Sequence, residues 1–167
     1  DFDGYYFVDY AREIARGHGP RIRFTHLDNA PDGREVHWSS AFPWWLVGVG
    51  AVTSAVSGDS LDDGIRSAAY YANPLLFAIC VTAASVAVWW VVGGVPAGVL
   101  ALALATNAGL LEDFGYAKPD HHGLHIAFAL GLVLCCFLGG AGWVPNGSDS
   151  LRSARRWMIA SGVFGGL

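Results

Sequence analysis

The chain has 167 residues, 53% of them apolar, a mean hydropathy of +0.39 and a formal net charge of -4. Its basic residues are scattered and outnumbered by acids, which excludes the basic footprint of a nucleic-acid-binding protein. Ten acidic side chains fall within residues 1–64, whereas Ser67 to Leu111 carries no charged residue at all, so the pattern is a water-facing segment followed by a membrane segment rather than one soluble core.

In chain order, residues 4–17 read as an amphipathic helix, with Phe7, Tyr10, Ala11, Ile14 and Ala15 on one face. Asp3 is placed to cap its start and Gly17 to stop it. Residues 18–40 read as irregular loop, punctuated by Gly19-Pro20 and Pro31-Asp32-Gly33. Residues 43–57, opening with Pro43-Trp44-Trp45, are too short for a crossing, which takes about twenty residues. Tandem tryptophans suit the headgroup layer, so this run is assigned to an interfacial helix. Asp59, Asp62 and Asp63 then return the chain to water.

A first crossing is expected over 69–92, with Asn73-Pro74 as a point of kinking. Gly93-Gly94-Val95-Pro96 makes a reversal, and a second crossing is expected over 95–111. Residues 112–122 form a short polar loop, in which Glu112 and Asp113 keep the segment hydrated. A third crossing follows over 123–142, then a loop over 143–157 and the start of a fourth crossing. The predicted fold class is therefore all-α: a polytopic membrane helix bundle. It divides into a first external loop with short helices, 1–64, and a transmembrane region, 65–167. The start at Asp1 and the apolar run at Leu167 read as an internal piece of a longer membrane protein.

Arg152, Arg155 and Arg156 cluster beside a span, which by the positive-inside rule places that loop in the cytoplasm. Counting crossings backwards puts residues 1–64 and the loop 112–122 on the extracytoplasmic side of the plasma (inner) membrane. A true crossing at 43–57 would instead separate the two polar motifs. Cys80, Cys135 and Cys136 lie in apolar runs without zinc spacing and read as packing residues.

Two motifs carry the chemistry. Asp3-Gly4-Tyr5-Tyr6 begins the first helix, and on the residues alone Asp3 serves equally as N-cap or metal ligand, with Asp1 an alternative acid. Pro119-Asp120-His121-His122 sits at the mouth of a span, where ionisable groups point to function, although Asp120 could also cap a helix. His125 follows one turn after His121. Lys118, Arg12 and Arg16 offer positive charge for a phosphate, or in the arginines' case simple pairing with Asp9 or Glu13. Tyr5, Tyr6, Trp38, Trp44 and Trp45 read as interface or packing aromatics. Two acidic motifs meeting at a membrane surface suggest a metal site acting on an anionic substrate.

Asp3-Gly4-Tyr5-Tyr6-Phe7, with Ala11-Arg12-Glu13-Ile14 and Gly17, resembles the first external loop of the catalytic subunit of oligosaccharyltransferases. His37-Trp38-Ser39-Ser40 with Pro119-Asp120-His121-His122-Gly123-Leu124 is similar to a bacterial branch of these C-type glycosyltransferases. The resemblance implies transfer of a sugar from a polyprenyl-phosphate or -pyrophosphate donor to a protein or glycan acceptor at the external face. It implies Asp3 and Asp120 as metal ligands, with His122 where the family carries a second acid. That exchange would favour manganese or another transition ion over magnesium. It implies His121 as a second-shell or acid/base residue and Lys118 as a weak phosphate contact, while Arg12 is a weak substrate-binding candidate on its charge alone. The rival readings are a membrane transporter, disfavoured by the uncharged spans, and a catalytically inactive membrane scaffold.

Overall fold

The computed structural model describes the backbone of residues 3–27, 29–140 and 148–166 and the side chains of 4–27, 29–139 and 154–166. Among these residues it is mostly helical, with seven α-helices and one two-stranded pairing. The chain divides into two compact units: residues 1–73 with 116–121, and residues 74–115 with 122–167.

In the first unit, α1 (Asp3–Ala15) buries the face that its apolar spacing marks out. Phe7, Tyr10, Ala11 and Ile14 are all buried, and Ala15 stands half-buried at the edge. The helix stops at Gly17, whose φ of +86° favours glycine. The N–H of Gly17 donates to the Ile14 carbonyl at 3.0 Å and that of His18 to the Glu13 carbonyl at 3.1 Å, the double closure that satisfies a helix C-terminus. The following segment is not wholly irregular. β1 (Phe24–Thr25) pairs antiparallel with β2 (Arg34–Glu35), with Ile22 and Val36 buried beside them.

α2 (Ala41–Ser57) packs on α1 through Phe42, whose ring lies 5.6 Å from that of Phe7. Tyr10, Phe42, Leu46 and Ile65 are fully buried and make the centre of this core. Burying each contributes about 1.5–3 kcal/mol.

α3 runs without interruption from Leu61 to Val92. It begins eight residues before the expected span, because Ser60 caps it. The Ser60 hydroxyl accepts from the Asp63 N–H at 3.2 Å and donates to the Asp63 carboxylate at 2.6 Å. Asp62 and Asp63 are thereby the first turn of the helix rather than a separate loop.

The second unit holds the rest of α3 with α4 (Gly94–Ala105), α5 (Ala108–Asp113), α6 (His122–Gly140) and α7 (Ser148–Gly166). The single helix expected over 95–111 is two helices. Asn107 is the cause: its side chain accepts the Leu110 N–H and starts a new helix. α7 likewise starts at Ser148, so Arg155 and Arg156 lie on a helix rather than in a loop. It packs on α6 where glycines allow close approach: Gly131 meets the Phe164 ring and Gly139 meets Trp157. Residues of α3, α6 and α7 line an apolar pocket of about 320 Å³.

Two helices, Leu61–Val92 and the stretch His122–Gly139, are long and apolar enough to cross a membrane. Ala41–Ser57 and Gly94–Ala105 are apolar but shorter.

Candidate metal centre and adjoining cleft

The second polar motif is held on α3 by a consequence of Pro74. Proline has no N–H, so the Tyr70 carbonyl one turn earlier receives no helix bond from it. That carbonyl instead accepts the N–H of Ala117 at 2.8 Å. The neighbouring Asn73, 2% exposed, donates its side-chain amide to the carbonyls of Lys118 at 2.7 Å and Asp120 at 2.9 Å. Ala117 takes a left-handed backbone conformation, φ +57°, between these ties. Trp45 of α2 adds a bond to the Ala72 carbonyl at 3.1 Å. Asn73-Pro74 thus acts as a dock for a segment some 45 positions away.

On this dock Asp120 is 6% exposed, and its carboxylate oxygen lies 2.8 Å from Nδ1 of His121. The His121 ring is wedged between Phe7, at 4.9 Å, and Trp38, at 5.1 Å. His122 is exposed and is the first residue of α6. The three consecutive residues each offer one ligand atom, all within 4.8 Å of one another. One carboxylate and two imidazoles suit a transition ion; magnesium asks for oxygen ligands.

The first motif reaches the same place through its backbone. Gly4 on the opening turn of α1 faces Pro119: a Cβ built there would stand 3.1 Å from the Pro119 carbonyl oxygen and 3.3 Å from its Cγ. The neighbouring residues, Asp3 and Asp120, both belong to the predicted ligand set. The backbone of Asp3 opens α1, while its side chain lies outside the described residues, so the expected Asp3–Asp120–His122 set is seen only in its last two members. His121, expected as an acid/base or second-shell residue, joins the cluster itself. Lys118 contributes its carbonyl to the dock.

Arg12 is committed elsewhere. Its guanidinium forms a two-point pair with Asp62, Nε and Nη2 each 2.7 Å from a carboxylate oxygen, and a third contact of 3.2 Å to Asp9. Arg16 adds 2.9 Å to Asp62. The sequence offered Asp9 as a partner; Asp62, fifty positions away, is the stronger one. The hydrogen bonds from Arg12 hold the Asp62 carboxyl below the usual carboxylate range, and the same bonds raise Arg12. Asp62 stands on the polar first turn of α3, ahead of the uncharged stretch.

Beside Pro119 opens a cleft of about 280 Å³ whose wall includes Tyr5, Asp9, Arg12, Arg66, Tyr70 and Ala117. Tyr5 is 62% exposed, and the Tyr70 ring lies 5.8 Å from that of Tyr116. Asn73, Tyr70, Asp62 and the His121-facing side of Trp38 were not singled out as site residues by sequence. The one available signal was a lone Asn-Pro in an otherwise apolar run.

Comparison with protein-family models, with curated proteins and with solved structures finds no match.

Proposed function

We propose that the chain is part of a membrane-embedded, metal-assisted glycosyltransferase that takes a sugar from a polyprenyl-phosphate or -pyrophosphate donor at the extracytoplasmic face. The single observation that carries this reading is the approach of Gly4 to Pro119 within one compact unit, which puts the Asp3 and Asp120 motifs side by side. The resemblance of these motifs to oligosaccharyltransferase catalytic subunits supplies the chemistry.

Asp120, His121 and His122 would hold the ion, with Asp3 completing the set from α1. A bound divalent ion would supply positive charge to a departing lipid phosphate. His121, wedged between Phe7 and Trp38, is given a ligand role in place of acid/base work, because its ring is held against two aromatic faces. The cleft beside Pro119 gives a substrate room, with Arg66 exposed on its wall. Arg12 shapes that wall and fastens α1 to α3.

The membrane setting is supported by the burial of the two long apolar helices. Only 17% of the most apolar window of α3 and 28% of that of α6 is buried, whereas a core helix of a soluble protein is mostly covered. Trp89 and Trp90, 61% and 79% exposed, stand at the end of α3 in keeping with an interfacial belt. α2, at 17 residues, is about 25 Å long, less than the roughly 30 Å hydrocarbon layer, and is read as interfacial.

The test is transfer of labelled sugar from a polyprenyl-phosphate donor by the full-length protein in proteoliposomes. Activity that disappears with chelator, returns with manganese and is lost in Asp3→Ala and Asp120→Ala supports the reading. Undiminished transfer in both variants overturns the metal role. Substrate counterflow without transfer would favour a transporter.

A further inference from the structure

We propose that Asn73 is the positioning residue of the candidate metal centre: with the Tyr70 carbonyl that Pro74 leaves open, it holds residues 117–120 on α3 and so fixes where the Asp120 carboxylate stands. The inference deepens the reading above and rests on it for the ligand role of Asp120.

A side-chain amide has two N–H donors, and Asn73 directs them to the carbonyls of Lys118 and Asp120. These two carbonyls flank Pro119, which has no N–H with which to anchor itself. One side chain therefore pins the segment on both sides of the proline. The third tie, from Ala117 N–H to the Tyr70 carbonyl, exists because a proline follows Asn73. Asn73 and Pro74 act as one device: the first supplies donors, the second frees an acceptor.

Burying an amide in an uncharged apolar run is costly unless its hydrogen bonds are made, and here it is the donors that are made. Asn73 Oδ1 has no partner among the described residues. An apolar side chain would fill the space without that cost but could not make the two bonds to Lys118 and Asp120. The left-handed Ala117 points the same way. An alanine enters that region only against a steric penalty, and here the chain is tied on both sides of it.

The test uses the full chain and two variants that both remove the donors, Asn73→Leu and the near-isosteric Asn73→Asp. Amide hydrogen exchange over 116–121 and cobalt(II) titration followed by its visible spectrum are the readouts, with circular dichroism to confirm folding. Both variants are expected to raise exchange in 116–121 while leaving α2 protected. Cobalt affinity is expected to fall about tenfold, the scale of a lost supporting contact at a metal site. Faster exchange with unchanged cobalt affinity makes Asn73 a structural tie only and overturns the proposal. Unchanged exchange in a folded variant overturns it too, as does an unprotected Ala117 amide in the unaltered protein. If the unaltered protein binds no cobalt while the variants release 116–121, the hold on Asp120 stands and the metal-dependent transferase reading is the one that fails.

Discussion

Gly4 and Pro119 meet backbone to backbone, so the first turn of α1 lies against the segment that carries Asp120. The approach leaves no room for a branched side chain. Gly4→Ala places a methyl 3.1 Å from the Pro119 oxygen, so Pro119 must give by only a few tenths of an ångström. Gly4→Val cannot be accommodated without moving Pro119. It is expected to lose about 1–3 kcal/mol of stability and to weaken cobalt binding, both measurable on one purified preparation. Equal behaviour of the alanine and valine variants would show that the contact does not constrain the site.

The Arg12–Asp62 pair fastens α1 to the start of α3, and its geometry makes it pH-dependent in a defined direction. Asp62 is held below the usual carboxylate range by hydrogen bonds from Arg12. Its contribution is therefore complete above about pH 3.9, the ordinary carboxylate value, and is lost as pH falls through the lower folded value. Side-chain exposures of 18% and 34% moderate the effect to about 1 kcal/mol. Arg12→Ala should lower the denaturant midpoint at pH 7, and the gap from the unaltered protein should close toward pH 3. A gap that persists unchanged at pH 3 would mean that Arg12 acts through packing rather than charge.

His122 and His125 both lie on the first turn of α6, yet only His122 belongs to the ligand cluster. His122→Ala is expected to reduce cobalt affinity at least about tenfold with little change in stability, because the side chain is exposed. His125→Ala is expected to leave affinity unchanged. Isothermal titration of the two variants decides this, and the reverse order would reassign the centre.

What the sequence made legible was local. The apolar spacing of α1, its stop at Gly17 and the tryptophan-led start of α2 each depend on neighbours within a turn or two, and each is found. The break between α4 and α5 had a local signal in Asn107, which the apolar run around it masked. The two-residue strands are too short to display a period of two. For the site, the motifs were visible but their supports were not. Asp62 and Asn73 act on partners 50 and 45 positions away, and nothing local announces a helix carbonyl released by proline and claimed by a distant loop.

The side of the membrane on which the motifs lie is an expectation that labelling can test. Counting crossings relied on a span over 95–111, but α4 has 12 residues, about 18 Å, and ends before α5. The contact between Gly4 and Pro119 ties the two motifs together without any count of crossings. Single cysteines at Asp32 and Lys118, in a background where Cys80, Cys135 and Cys136 are replaced by alanine, should therefore be labelled from the same side by an impermeant maleimide. Both are expected to react in intact cells after outer-membrane permeabilisation. Arg155→Cys, on the arginine-bearing turn of α7, should react only once the inner membrane is opened. Labelling of positions 32 and 118 from opposite sides would make α2 a crossing helix and would separate the Asp3 motif from Asp120, removing the basis of the proposed site.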